Sequence, residues 1–558
     1  MAMDDDEAEP VNAREGARPS PGLANTDPTS AAARWGIGIR PWLWWVRIRI
    51  LFVIDGRITQ GSEPDEFGLG LVLDTLRDPW FAWWLRIEVT VADRDEQFRF
   101  TQDGFNIDDY DQVWFFGDWP GLRANDPTVG DNVIGDDQYG PLDDAELLIV
   151  ASWMDRGGGV FATGDHALLG ASMCHRIPRV RTMRRWTRAQ HVPTFAGDER
   201  NETLVHGPGY EDLWEGDRWP QRIYPVLRPD TNGLIAFRQS PHPILCGTVG
   251  VIEHFPDHMH EGGLFEDDEV RLDDPLDIPG YTRQEYPVVE PVVAAVASDA
   301  AAALGPAVFG IRPRPRVVAH GLTTHLAAPR SFPMVGTYDG DPVGLGRVVV
   351  DSTWHHWFSL NLVGLRDLSP GYYAGMQDYY RNVALWLATP EQRASMLFAA
   401  TWGAVAGSQP GAFDPVLGIR RLGERVVDVI GRTAPQCILD ELVATVAMLP
   451  NPVPRKSVDD RSWIWAPSST TLNTLIVGGI AIRMLDQAHH HINEQAHGRD
   501  SRLDADAVRR LGLEGVAAGK QELLEALAEG SERFAVMRDL LEGQRNAASS
   551  DIPNDRTD

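Results

Sequence analysis

Between Ala145 and Gly170 the chain reads AELLIVASWMDRGGGVFATGDHALLG, and few folds accept that order of signals. Leu147, Leu148, Val150, Ala151 and Met154 recur at helical spacing. Gly157, Gly158 and Gly159 stop the helix. Val160-Phe161-Ala162-Thr163 is a short apolar run, as expected of a strand covered on both faces. Gly164-Asp165-His166 then falls where that strand must end. A helix leading into a doubly covered strand is the repeating piece of a parallel α/β sheet. Such sheets bind ligands in the crevice outside the carboxyl ends of their strands. The fold class, α/β, and the place to look for a pocket both follow.

Further strands are expected at RIRILFVID, ending at Asp55-Gly56-Arg57, at Leu85 to Ala92, and at Gln112 to Phe116, ending at Gly117-Asp118. Phe67 to Leu76 has helical spacing. Later runs at Pro315 to Ala319, Met334 to Tyr338 and Arg347 to Asp351 are strand-like, and the last leads into Ser352-Thr353-Trp354-His355-His356-Trp357. Strands alternating with helices imply parallel pairing through right-handed crossovers.

Composition bounds the partners. Against 51 basic side chains stand 80 acidic ones, a formal net charge of -29, and such a surface repels phosphate backbones and anionic lipid. Nucleic acid and membrane are therefore not expected partners. No run of about 18 apolar residues occurs, so no spanning helix is expected. Three cysteines, Cys174, Cys246 and Cys437, are too few for a disulfide framework and favour a reducing compartment. With an acidic N-terminus in place of a secretory signal, the expected location is cytoplasmic.

Residues 1–33 read as a disordered acidic leader and 546–558 as a frayed tail. The sheet domain is expected over 34–390, with an insertion at about 172–238. From Pro390 the composition changes, and 391–545 reads as a helical module with a proline-rich linker at about 450–467. In the basic segment CHRIPRVRTMRRWTR, the arginines at 176, 179, 181, 184, 185 and 188 suit either capture of an anionic ligand or pairing with acids on a surface helix.

Of the 16 histidines, 12 fall between His166 and His356. Asp165 and His166 would share the carboxyl edge of the sheet with His355 and His356, and a carboxylate-oriented imidazole is an acid–base arrangement. Asp55, Arg57, Asp118 and Trp354 would line the same cleft as substrate-binding groups. His254, Asp257, His258, His260 and Glu261 are dense enough either for a divalent metal such as Zn, Mn or Fe, held by His258, His260 and Glu261, or for a hydrogen-bonded polar loop. His490, Glu494 and His497 share one helical face, but a di-iron bundle needs a second such motif, and a solvated helix end is expected.

Taken in order, three of these elements resemble one family. Gly157-Gly158-Gly159 with its strand and His166, His242-Pro243-Ile244, and Gly346-Arg347-Val348 followed by His355 and His356 are similar to the trehalose-utilisation (ThuA-like) family of the class I glutamine amidotransferase-like fold. The resemblance spans about residues 45 to 390. It implies a flavodoxin-like parallel sheet and a sugar or other small polar metabolite as substrate. The elbow carries Thr-Gly-Asp-His where amidotransferases carry their nucleophilic Cys, so thiol-dependent glutamine hydrolysis is not expected. Two functions remain open: hydrolase or lyase chemistry by His and Asp, with or without a metal, and a catalytically silent ligand-binding or scaffold protein whose helical module recruits a protein partner.

Overall fold

The computed structural model describes residues 46–63, 66–78, 85–119, 141–165, 169–186, 190, 220–229, 239–248, 250–256, 263–288, 312–323, 329–407, 418–431, 434–448, 469–496 and 509–525. The expected leader, linker and tail, together with His166, Arg188, Asp257, His258, His260, Glu261 and His497, lie outside these residues.

An eight-stranded sheet runs through the centre. In chain order its strands are β1 (Val46–Ile54), β2 (Leu85–Asp93), β3 (Gln112–Phe116), β4 (Gly159–Thr163), β5 (Tyr224–Pro225), β6 (Arg316–Leu322), β7 (Ser331–Tyr338) and β8 (Val348–Asp351). Their spatial order is β2-β1-β3-β4-β8-β7-β6-β5. The first five are mutually parallel, and β7, β6 and β5 pair antiparallel. The all-parallel expectation is corrected there. Only eight residues separate β6 from β7, fewer than a parallel crossover needs, so the chain returns antiparallel. Burial follows position. Leu51 to Ile54 of the interior strand β1 are buried, whereas β2 at the edge exposes Arg86 and Thr90 and is only half-buried over most of the rest.

Both faces are covered, which explains the unbroken apolar strands. On one face Ile50, Phe52, Trp114, Phe116 and Phe161 pack under α1 (Gly70–Arg77), α4 (Ser359–Leu368) and α5 (Pro370–Leu387). On the other, Leu51, Val53, Val113, Phe115 and Val160 meet α2 (Asp144–Met154). Asp143 caps α2, and Glu146 completes the capping box while pairing with buried Arg94 at 2.9 Å. The short α3 (Ala171–Cys174) follows β4. Gly346 is required sterically: a Cβ there would lie 1.9 Å from the Gly158 carbonyl oxygen.

The basic segment is no surface helix. Residues 175–183 form turns, Arg184 bridges to Leu264, and Arg179, Arg184 and Arg185 are buried. Arg179 reaches Asp155 at 3.3 Å, Arg181 reaches Glu285 at 2.6 Å and Arg185 reaches Glu269 at 2.7 Å. These arginines brace the segment 263–288 against the sheet instead of presenting a fork to a ligand. A guanidinium can be buried only where acids and carbonyls satisfy its donors, and the sequence does not display those distant partners.

Beyond the sheet lie α6 (Pro390–Gly407), α7 (Gly418–Ile430), α8 (Gln436–Met448), α9 (Ser469–Ala496) and a helix over 509–525. No helix among the described residues is long and apolar enough to cross a membrane. A charged joint ties this helical part to the sheet. Arg347, just before β8, contacts Asp339 at 2.9 Å, Asp341 at 2.8 Å and Glu441 of α8 at 2.6 Å, and Arg393 of α6 also holds Asp341. Burial pushes the Glu441 carboxyl up, but Arg347 and Arg393 outweigh it and hold its pKa below the usual glutamate value. The stability this lends is present at neutral pH and is lost as pH falls through that depressed pKa.

Cys246 and Cys437 form a disulfide between the sheet part and α8. The expectation of reduced cysteines is therefore corrected, and the cysteine count no longer argues for a reducing compartment. Sequence could not reveal the pair, because its two members stand 191 residues apart. Closing so long a loop stabilises by about 5 kcal/mol in the chain-entropy view. Cys174 is buried and free. Denatured without reductant, the protein is expected to titrate one thiol, and three after reduction; Cys437→Ser is expected to lower the Tm. Three thiols in the unreduced protein would remove the staple.

Candidate functional site

Four parallel strands deliver polar groups to one edge. β1 ends in Asp55, β3 leads to Asp118, β4 leads to Asp165, and β8 leads through Asp351 to His355 and His356. The strand order sorts these groups into two sets along the edge, Asp55 with Asp118, and Asp165 with Asp351, His355 and His356.

The first pair is Asp55 with Asp118. Asp55 is 2 % exposed; its Oδ1 accepts from the backbone N–H of Asp118 at 2.6 Å and of Trp119 at 3.2 Å. Its Oδ2 accepts from the Ser172 hydroxyl at 2.9 Å. Asp118 takes a two-pronged contact from Arg57, Nη2 to Oδ1 at 2.8 Å and Nε to Oδ2 at 3.0 Å. Gly56 between them has φ +68°, and a Cβ there would lie 2.3 Å from Asp118 Oδ2, so only glycine fits. Burial pushes the Asp55 carboxyl up to about 7, against its three hydrogen bonds, and the Asp118 carboxylate pushes the same way.

The second group surrounds β8. Asp165 and His355 are fully buried, with His355 Nε2 at 3.3 Å from Asp165 Oδ2, an ion-pair distance without the alignment of a hydrogen bond. The Thr353 hydroxyl donates to Asp165 Oδ1 at 3.1 Å. Arg184 Nη2 donates to the carbonyls of Asp165 at 2.9 Å and Ser352 at 3.1 Å, locking the ends of β4 and β8 together. His356 Nε2 lies 2.8 Å from Asp351 Oδ2, which also accepts from Trp357 Nε1 at 2.8 Å. The Tyr379 hydroxyl donates to Asp351 Oδ1 at 3.0 Å. The His356 ring stacks on Phe255 at 4.5 Å, and its Nδ1 carries no hydrogen bond.

Of the expected site residues, Asp55, Arg57, Asp118, Asp165, His355 and His356 thus stand along one edge. Trp354 is placed differently. It is 1 % exposed, with its ring against Phe67 and Phe358, so it packs α1 onto α4 and offers no open face to a substrate. The same edge also uses Asp351, Ser172 and Tyr379, which the sequence does not single out. Asp351 carried one legible signal, an acid at a strand end five residues before a histidine; Ser172 and Tyr379 carried none. Among the described residues no group of three or more His, Cys, Asp or Glu side chains is disposed to hold a metal.

No family model, curated protein or solved structure matches the chain.

The raised Asp55 pKa has a signed consequence. The folded chain binds this proton more tightly than the unfolded chain, so stability falls as pH rises from about 4 to about 7 and the loss is complete above that. Asn at this position keeps the acceptor for both backbone N–H groups and carries no charge. Asp55→Asn is therefore expected to flatten the decline of Tm between pH 4 and 7 and to raise the Tm at pH 8 relative to wild type. Superimposable Tm–pH profiles for the two proteins would contradict the assignment.

Proposed function

We propose that the carboxyl edge of the sheet is the functional edge and that the chain acts on a small polar metabolite, a sugar or a similar compound, by His/Asp acid–base chemistry of the hydrolase or lyase kind. The observation that carries this reading is His356: a carboxylate fixes one ring nitrogen at 2.8 Å and the other carries no hydrogen bond. An imidazole so oriented can take and return a proton at Nδ1. Asp55, with its pKa near 7, is a second group able to exchange a proton near neutrality. The flavodoxin-like, amidotransferase-like fold of the ThuA-like family is the more specific form of this reading, and the order β2-β1-β3-β4 of the parallel strands is compatible with it. A metal-assisted version would draw on His258, His260 and Glu261; elemental analysis of untagged protein would then find Zn, Mn or Fe, lost in the His258→Ala/His260→Ala double variant.

Full burial of Asp165, His355, His356 and Asp351 favours a second reading, a catalytically silent ligand-binding or scaffold protein in which these groups only hold strand ends together. The two separate in one experiment. Wild type, His356→Gln and Asp165→Asn are incubated with a panel of mono- and disaccharides and glycosides, products are read by mass spectrometry, and each Tm is measured. The acid–base reading expects turnover that falls at least ~100-fold in a variant that stays folded. Turnover unchanged in folded variants removes His356 and Asp165 from the chemistry, and a wild type inert toward the panel whose variants lose stability supports the silent protein.

A further inference from the structure

A cavity of about 410 Å³ lies between Gly247 and residues 250–254 on one side and the first turns of α5 on the other. That volume is in the range of small-molecule sites. The loop is preformed. It starts at Cys246, fixed by the disulfide and by Asn382 Nδ2, which donates to the Cys246 carbonyl at 2.6 Å. Asp378 of α5 then takes hydrogen bonds from the Thr248 N–H and hydroxyl, both at 2.8 Å. At the far end His254 stacks on Tyr372, ring centroids 4.2 Å apart.

The chemistry of the lining has one sign. Among the described residues it includes two carboxylates, Glu253 and Asp378, and no Lys or Arg. Arg222 approaches Glu253 at 3.7 Å between half-exposed side chains, a pair that contributes little, whereas Asp378 is buried, holds both Thr248 donors and has Arg381 at 4.0 Å, so Glu253 is the acid open to a ligand. Burial and Arg222 lower the His254 pKa against the opposing pull of Glu253, which leaves the imidazole neutral at neutral pH. Tyr372, 42 % exposed, offers an aromatic surface. The α5 wall is also kept low. Gly375 stands inside the helix, where glycine costs about 1 kcal/mol relative to Ala, yet a Cβ there would meet nothing within 4 Å. Packing does not demand this glycine; it leaves the cavity wide, as does Gly371 one turn earlier, which also has open space beside it.

We propose that this cavity binds a small organic ammonium ion, with the charged nitrogen beside Glu253 and its apolar body against Tyr372 over the glycine wall. A carboxylate and an aromatic face together attract a cation, and the described lining residues offer an anionic ligand no Lys or Arg of their own. The proposal is independent of the acid–base reading, because none of these residues belongs to the strand-end groups. Phe255, the residue after His254, stacks on His356, so the two places are neighbours in the fold.

Calorimetric titration of the full chain with 2-phenylethylammonium chloride and with 2-phenylethanol, its neutral counterpart, tests the proposal. The ammonium is expected to bind at least tenfold more tightly than the alcohol, and more weakly as salt is added. Gly375→Ala adds one methyl group in open space and is expected to raise the Tm, while Gly375→Leu fills the cavity and is expected to abolish binding. Glu253→Gln, on a half-exposed side chain, is expected to weaken binding at least threefold. Equal affinity for the alcohol overturns the ligand class. No binding of either compound at millimolar concentration, or undiminished binding in a folded Gly375→Leu, overturns the site.

Discussion

Strand β8 is four residues long and carries an ionic hub at each end. At its carboxyl end Asp351 gathers hydrogen bonds from His356, Trp357 and Tyr379, all within the protein interior. A carboxylate without water is tolerable only when donors surround it. Here the three donors come from the turn after the strand and from α5, so the acid fixes the position of both. The strand is also the seam of the sheet, parallel to β4 on one side and antiparallel to β7 on the other. Loss of the Asp351 contacts would release the turn bearing both histidines and the helix that covers one face.

The hub at the amino end works in the opposite electrostatic sense. Arg347 and Arg393 are surrounded by Asp339, Asp341 and Glu441, and Arg347 also lies over the Trp386 ring at 4.6 Å. Removing one partner from such a buried network leaves an uncompensated charge and costs about 3–5 kcal/mol. This joint sets the sheet, the end of α5 and the helices α6 and α8 against each other, and the Cys246–Cys437 disulfide repeats the connection covalently. The helical part is therefore welded to the sheet rather than hung from it.

Polar groups at the carboxyl edge divide by accessibility. Asp165, His355 and His356 sit inside the fold, whereas Arg57 has a side chain 57 % exposed. The loop and helix around Tyr372 form an open concave surface with preformed walls. A chain this acidic concentrates cations near its surface, and an indentation lined by carboxylates strengthens that effect locally.

Local patterning carried the strands and α2. The apolar runs at 50–54, 113–116 and 160–162 were legible because strand segments buried on both faces must be apolar, whatever their neighbours. The strand-end positions of Asp55, Asp118, Asp165 and His355 followed from the same rule, since parallel strands put their carboxyl ends on one edge. The antiparallel turn at β6 and β7 did not follow, because a short apolar strand has no direction written into it. Nor did the buried arginines, whose acids lie far away in sequence: Arg179 pairs with Asp155 and Arg181 with Glu285, and a basic run reads the same whether its partners are water or protein. The packing role of Trp354, the Asp351 hub, the Cys246–Cys437 bond and the cavity over Gly375 were likewise decided by tertiary structure alone. The sequence determined which segments had to be buried, because burial is a property of each segment's own side chains. Which charges meet and which space stays open depends on pairs of segments, and only the folded chain sets those pairs.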